Sequence, residues 1–192
     1  MASPFLTPFC SSFLLATASE FGDKTQLLSA SLNLRYGKPW QILIAATLAS
    51  AANHLVVAML GQWIGPFLGS RVVAMVMMVV FVGLAGITLF APEPQINLKS
   101  KSHQFSSLYS FWGVFLIILL VEMGDKSQLV TAALAARYNS TYAVALGSSL
   151  GTILPDAAAI FLAQKMGSAM QWKQLRFISA GAFLVSAVLL AF

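Results

Sequence analysis

Six acidic residues occur in the 192-residue chain, and five of them sit inside apolar stretches. Glu20, Asp23, Glu122, Asp125 and Asp156 are flanked by aliphatic and small residues, and only Glu93 lies in a polar segment. A charged side chain at the centre of a bilayer costs about 2.5–3.5 kcal/mol on insertion scales, so five carboxylates would not persist as packing. Ionisable groups in that setting mark ion pathways or proton relays. Spacing says more. Glu20 and Asp23 are three apart and share a helix face, and Lys24, four after Glu20, borders it. Glu122, Asp125 and Lys126 repeat the arrangement. Two such faces brought together place four carboxylates around one cavity, partly balanced by two ammonium groups. Hard divalent cations take carboxylate, carbonyl and hydroxyl oxygens, so Glu20, Asp23, Glu122 and Asp125 are the expected metal ligands. A purely neutralising role for the lysines fails on arithmetic, because each motif has two acids and one base. Lys24 and Lys126 are expected to hold the empty site together or to move aside when metal binds.

Other polar residues fall nearby. Gln26 and Gln128 follow the motifs and could supply amide oxygens or bridge the halves. Ser50 and Asn53 share a helix face, as do Thr152 and Asp156, and both pairs are expected to line the cavity. His54 and Asp156 can titrate and are candidate proton carriers. Thr47 and Ser149 are expected to bond back to their own helix. Pro155 removes a backbone hydrogen bond, and a kink there would expose a carbonyl near Asp156. Gly22 and Gly124 permit close helix approach or a local break, which would free carbonyls as further ligands. Met123 is more simply a packing residue than a soft metal ligand. Gly147 and Gly151 form a small-residue stripe suited to helix packing.

The elements that must position these residues follow from composition. Hydrophobic residues make up 58% of the chain and charged residues 9%, against about 25% charged in soluble domains. Most of this chain does not face water. The net charge of +5 is scattered between apolar runs rather than clustered, which excludes a nucleic-acid-binding face. The lone Cys10 allows no intramolecular disulfide and is expected to pack as a small apolar residue. Six segments are long and apolar enough to cross a bilayer: Phe5–Leu34, Trp40–Ile64, Val72–Phe90, Leu108–Ala136, Tyr142–Met166 and Phe177–Phe192. The first has no Lys or Arg before Lys24 and so reads as a permanent helix rather than a secretory signal. Turn signals separate the segments, among them Gly65-Pro66. Arg35, Lys38, Lys99, Lys101, Lys165, Lys173 and Arg176 fall in the first, third and fifth connections, against Arg71 and Arg137 on the other side. That bias places both termini outside the cytoplasm. Trp40, Trp63, Trp112 and Trp172 fall near segment ends, as interfacial tryptophans do.

The chain repeats itself. Residues Glu20–Tyr36 match Glu122–Tyr138 at an offset of 102, with ten of 17 positions identical, and Gln62 and Gly65 match Gln164 and Gly167. Each copy carries three spans, and an odd number forces the second to insert upside down. The expected fold is therefore an all-α polytopic membrane protein, six transmembrane helices in two inverted three-helix repeats. The first repeat covers residues 1–90, a central loop 91–107, and the inverted repeat 108–192. Inverted repeats are a transporter signature, with the site near the midplane where the copies meet. A single chain holding both copies can form that site unaided, which leaves the oligomeric state open.

The duplicated E-x-G-D-K-[ST] motif resembles that of the calcium/manganese:cation antiporter family, which includes Golgi manganese transporters and bacterial manganese exporters. The resemblance covers essentially the whole chain. It implies that Glu20, Asp23, Glu122 and Asp125 are metal-site acids, that Mn²⁺ or Ca²⁺ is the substrate rather than a resident cofactor, and that protons are the counter-ion. The absence of a long leader and extended central loop implies a bacterial inner-membrane exporter rather than a Golgi protein. The rival readings are an exporter of amino acids or small organic cations, a metal-dependent intramembrane enzyme and a passive channel. The first would want fewer acids and a larger pocket. The enzyme lacks any H-E-x-x-H or nucleophile–base signature, and the expectation is no catalytic activity. The channel would lack coupling.

Overall fold

Apolar backbone in lipid must satisfy its own hydrogen bonds, and runs rich in Ala, Leu and Val do so as helices. The structure, a computed structural model, describes residues 4–20, 24–90 and 111–166, and Ala180, Gly181, Leu184, Val185, Ala187 and Val188 of the last segment. Among the described residues every regular element is an α-helix. In chain order these are α1 (Leu6–Glu20), α2 (Lys24–Tyr36), α3 (Pro39–Phe90), α4 (Phe111–Glu122), α5 (Lys126–Tyr138) and α6 (Thr141–Met166).

Two expected boundaries move. α1 is described to Glu20 and α2 from Lys24, and residues 21–23 lie outside the described residues. The fourth span is two helices, because Gly124 adopts φ +77 and ends α4 at Glu122. Gly65-Pro66 is not a turn. α3 runs through Pro66 and breaks at Gly69, whose φ 71 and ψ 155 suit only glycine. Proline costs a helix one N–H, whereas that backbone conformation ends it. By length and composition Pro39–Gly69 and Thr141–Phe161 can each cross a membrane, while Arg71–Ile87 and Phe111–Glu122 are shorter apolar helices.

The helices meet at two opposite ends. At one end the Ser11 hydroxyl lies 3.1 Å from the Tyr138 hydroxyl, and the Gln62 amide donates to the Asn139 carbonyl at 3.1 Å. At the other end the Asn33 amide donates to the Ile160 carbonyl at 2.8 Å, and the Trp40 and Phe161 rings meet edge-on at 5.2 Å. α1 therefore starts at the Asn139 end, whereas α4, with Phe111 packed on the core around Ile42 and Ile160, starts at the other. Both run inward to a buried glutamate.

Small residues set the packing distance. A Cβ on Gly147 would fall 2.1 Å from the Ser12 hydroxyl and 2.4 Å from the Phe9 carbonyl, so α6 lies directly on α1. A Cβ on Gly61 would fall 2.2 Å from the Ala132 carbonyl, so α3 lies as closely on α5. Ala45 and Ala49 occupy the matching stripe of the first copy and share a core cluster with Val114 and Ile118 of α4. In that pattern the motif helices of each copy pack on the second helix of the other. A further cluster gathers Met77, Phe81 and Leu84 of α3 around Val130 and Leu134, with Ala187 of the last segment. Trp40, Trp63 and Trp112 are exposed, while Trp172 lies outside the described residues. Cys10, expected to pack inside, lies on the exposed face of α1.

Candidate functional site

The site grows from the break between α4 and α5. α4 is apolar from Phe111 to Val121 and then ends on Glu122, which is buried. Met123 and Gly124 form the turn, and Asp125, with extended backbone at φ −74 and ψ 162, precedes α5. The Asp125 N–H donates to the Glu122 carbonyl at 3.0 Å. The Gly124 N–H donates to the Gln128 side-chain oxygen at 2.9 Å. Gln128 therefore spends its amide oxygen on the turn, holding the motif in shape from one helical turn away. The Asp125 carbonyl accepts from the Gln128 and Leu129 N–H groups, while its carboxylate does not cap its own helix. The Ser127 hydroxyl lies 3.4 Å from Asp125 Oδ2.

Helix ends add to this geometry. The C-terminus of α4 presents carbonyl oxygens with no partner in their own helix and a negative dipole end, favourable to a cation. Asn53 on α3 occupies this end. Its amide nitrogen donates to the Leu119 carbonyl at 3.1 Å and reaches Glu122 Oε2 at 3.5 Å. The Ser50 hydroxyl also reaches the Glu122 carboxylate, and Asp156 and Asp125 are the charges that act on it. Side chains from α3, α5 and α6 thus converge on the end of α4. Ser50, Asp125 and Asp156 are buried, Asn53 and Lys126 half-buried.

In the first copy Glu20, the last described residue of α1, is equally buried and accepts from the Thr25 hydroxyl at 3.3 Å. Gln26 is buried one residue on. Asp23 and the Lys24 side chain lie outside the described residues. Among the described residues no three His, Cys, Asp or Glu side chains form a ready-made metal cage. The polar groups around Glu122 are instead a mixture of carboxylate, hydroxyl and amide N–H. Met123, expected to be a packing residue, is instead 64% exposed.

The second helices show what was expected and what was not. Ser149 bonds back to Ala145 at 2.6 Å. Thr152 also bonds its own helix, at Ser149, so its proton is spent there. Pro155 frees the Gly151 carbonyl, four residues before it, and the Thr17 hydroxyl of α1 covers that oxygen at 2.9 Å. His54 is buried with Nδ1 2.9 Å from the Thr131 hydroxyl, which also lies 2.9 Å from the Ser148 hydroxyl and the Ser127 carbonyl. Thr131, Ser148 and Thr17 were missed from sequence. A signal was available for the first, since Ser29 matches Thr131 at the offset of 102 and keeps its hydroxyl.

The chain matches the family described as divalent cation/proton antiporter GDT1 over residues 8–95 and 110–192. A Vibrio cholerae protein named "Putative manganese exporter" is 33% identical over 175 residues, spanning 91% of this chain and 85% of its own length. A GDT1-like protein of Synechocystis is 27% identical, over 95% of this chain and 96% of that protein. GDT1-like protein 5 of rice is 26% identical over 98% and 96%. No solved structure matches.

Proposed function

The chain belongs to the GDT1 family of divalent cation/proton antiporters, and from that premise we propose that it exports Mn²⁺ from the cytoplasm in exchange for H⁺. The family is one of transporters, not enzymes, and its substrate class is divalent cations rather than organic ones. The choice of Mn²⁺ over Ca²⁺ follows the name of the Vibrio cholerae relative. Two inverted three-helix repeats, residues 1–90 and 108–192 joined by 91–107, make six spans, and both termini lie outside the cytoplasm of a bacterial inner membrane. Support for the inversion comes from α1 and α4 entering from opposite ends.

One observation carries the mechanism: Glu122, buried at the broken end of α4, faces Ser50, Asn53, Asp125 and Asp156. Glu20, Asp23, Glu122 and Asp125 are the metal ligands. Ser50, Asn53, Thr152 and Gln26 line the site, Gln128 holds the second motif turn, and His54 and Asp156 are proton carriers. The cation enters between the halves from the cytoplasm and draws the carboxylates together. The motif lysines, Lys24 and Lys126, balance the acids in the empty site. The halves then rock to open outward, protons take the place of the metal on the carboxylates, and the protonated form returns.

Purified protein in sealed vesicles, with an imposed pH gradient and an internal pH dye, tests this. The expected result is Mn²⁺ movement coupled to opposite proton movement, abolished in Glu20→Gln and Asp125→Asn. Metal movement indifferent to the pH gradient would refute the exchange.

A further inference from the structure

Gln62 reaches from α3 to the turn joining α5 and α6. Its amide nitrogen donates to the Asn139 carbonyl at 3.1 Å. Its amide oxygen accepts from the Thr141 N–H at 3.1 Å and from the Thr141 hydroxyl. One side chain thus satisfies three groups of the turn, including an N–H at the start of α6 that has no partner in its own helix. On either side of Gln62, α3 is seated on the backbone of α5. A Cβ on Gly61 would fall 2.2 Å from the Ala132 carbonyl, and one on Gly65 2.7 Å from the Ala136 carbonyl. The Ser11–Tyr138 contact closes the same end of the molecule.

The repeat supplies the comparison. Gly37 matches Asn139 at the offset of 102, and both are left-handed, at φ +66 and φ 50. Pro39 stands where the second copy has Thr141. Proline has neither an N–H nor a hydroxyl, so the α2–α3 turn lacks two of the three groups that Gln62 grips. The two turns share a backbone form and differ in what can hold them.

We propose that Gln62 is the clasp of the gate at the Asn139 end, and that the Thr141/Pro39 difference makes this end the more firmly held, so that the Lys38 end, joined by the Asn33–Ile160 hydrogen bond and the Trp40–Phe161 contact, is the first to open. The proposal rests on the reading of two halves that rock between two open ends. It gives that reading a direction. In the orientation proposed above the Lys38 end faces the cytoplasm, so the antiporter opens first to metal from inside, as an exporter should. Gln62 is a positioning residue, acting on the equilibrium between the two states rather than on the cation.

Thiol accessibility tests the gate without reference to metal. In a Cys10→Ser background, Ser148→Cys places a reporter seven residues into α6, beneath the clasp, at a position that is fully buried. A membrane-impermeant maleimide is applied from the Asn139 side, identified by rapid labelling of an Arg137→Cys control. Two variants are compared with the intact clasp. Gln62→Ala removes it. Thr141→Pro copies the other turn, and proline at the first residue of a helix is well tolerated, so this variant carries the test if Gln62→Ala does not fold. Both are expected to label Ser148→Cys faster, by about fivefold for each net hydrogen bond lost. Unchanged labelling in both, with the control reactive, overturns the clasp. Faster labelling in Gln62→Ala alone overturns the asymmetry. Metal–proton exchange measured on the same vesicles separates these results from failure of the transport reading, which would leave the labelling pattern intact.

Discussion

The side-chain amide of Asn53 donates to the Leu119 carbonyl at 3.1 Å, closing the broken end of α4 from a different helix. The same nitrogen reaches Glu122 at 3.5 Å, so one residue both caps the break and steadies the carboxylate beside it. Asn53→Ala is expected to leave the part-buried Leu119 carbonyl without that partner, at a cost of about 1 kcal/mol. Metal affinity should fall by about 10–100-fold, the usual effect of losing an outer partner of a ligand. Thermal unfolding in detergent and Mn²⁺ titration check the two effects separately. Unchanged affinity in a folded Asn53→Ala protein would remove Asn53 from the site.

Glu122 and Met123 are neighbours with opposite surroundings, one buried and one 64% exposed. Glu122→Gln is expected to abolish transport while the protein still inserts, because the amide removes the charge that a divalent cation needs. Met123→Leu conserves volume at a site facing outward, and its transport rate should stay within about twofold of the parent protein. A large loss in Met123→Leu, with Glu122→Gln tolerated, would reverse the assignment of ligand and packing residue. Vesicle uptake, normalised to protein in the membrane, gives both values.

Glycines divide in the same way. Gly124 has open space around its Cα but φ +77, so Gly124→Ala pays for backbone conformation alone, about 1–2 kcal/mol. The turn that sets Asp125 against Glu122 should distort, and transport should fall further than stability does. Gly147 instead has no room, since its Cβ would lie 2.1 Å from the Ser12 hydroxyl. Gly147→Ala should destabilise by about 1–3 kcal/mol through overpacking. Gly83→Ala, with nothing within 4 Å, should be silent. Melting temperatures of the three variants, set beside their transport rates, distinguish strain at the site from strain in the scaffold.

Much of this was legible before the structure, and the illegible parts have physical causes. Acids in apolar runs and two matching motifs pointed to a cation-transporting membrane protein, which the family match bears out. Hydropathy could not show that α4 stops at Glu122, because Leu129 and Val130 beyond the break are as apolar as Leu119 and Leu120 before it. The stop lies at Gly124, the glycine that the sequence marked for a local break, and its φ of +77 makes it. Gly65-Pro66 read as a turn, yet proline alone did not end α3, and the break fell three residues after it at Gly69. Partners from other helices were out of reach as well. Nothing local in sequence pairs His54 with Thr131, Thr17 with Gly151 or Gln62 with Thr141, since these contacts are made by packing.

Proton coupling makes the last prediction. A carboxylate that holds metal must be ionised, and a protonated one has lost both its charge and a coordinating lone pair. Metal binding at Glu20, Glu122 and Asp125 should therefore release protons, and acid should compete with metal. The apparent Kd for Mn²⁺ is expected to rise as pH falls from about 8 to about 6, by up to about tenfold per unit for each proton released. Adding Mn²⁺ to weakly buffered protein should acidify the solution in proportion to occupied sites. Glu122→Gln should flatten the pH dependence more than it shifts the melting temperature, because the substitution removes a proton-binding oxygen while keeping shape. Titration calorimetry in buffers of different ionisation enthalpy counts the protons directly. A count of zero, with metal bound, would mean that the counter-ion is carried elsewhere, and the buried His54 beside Thr131 would then be the next group to replace.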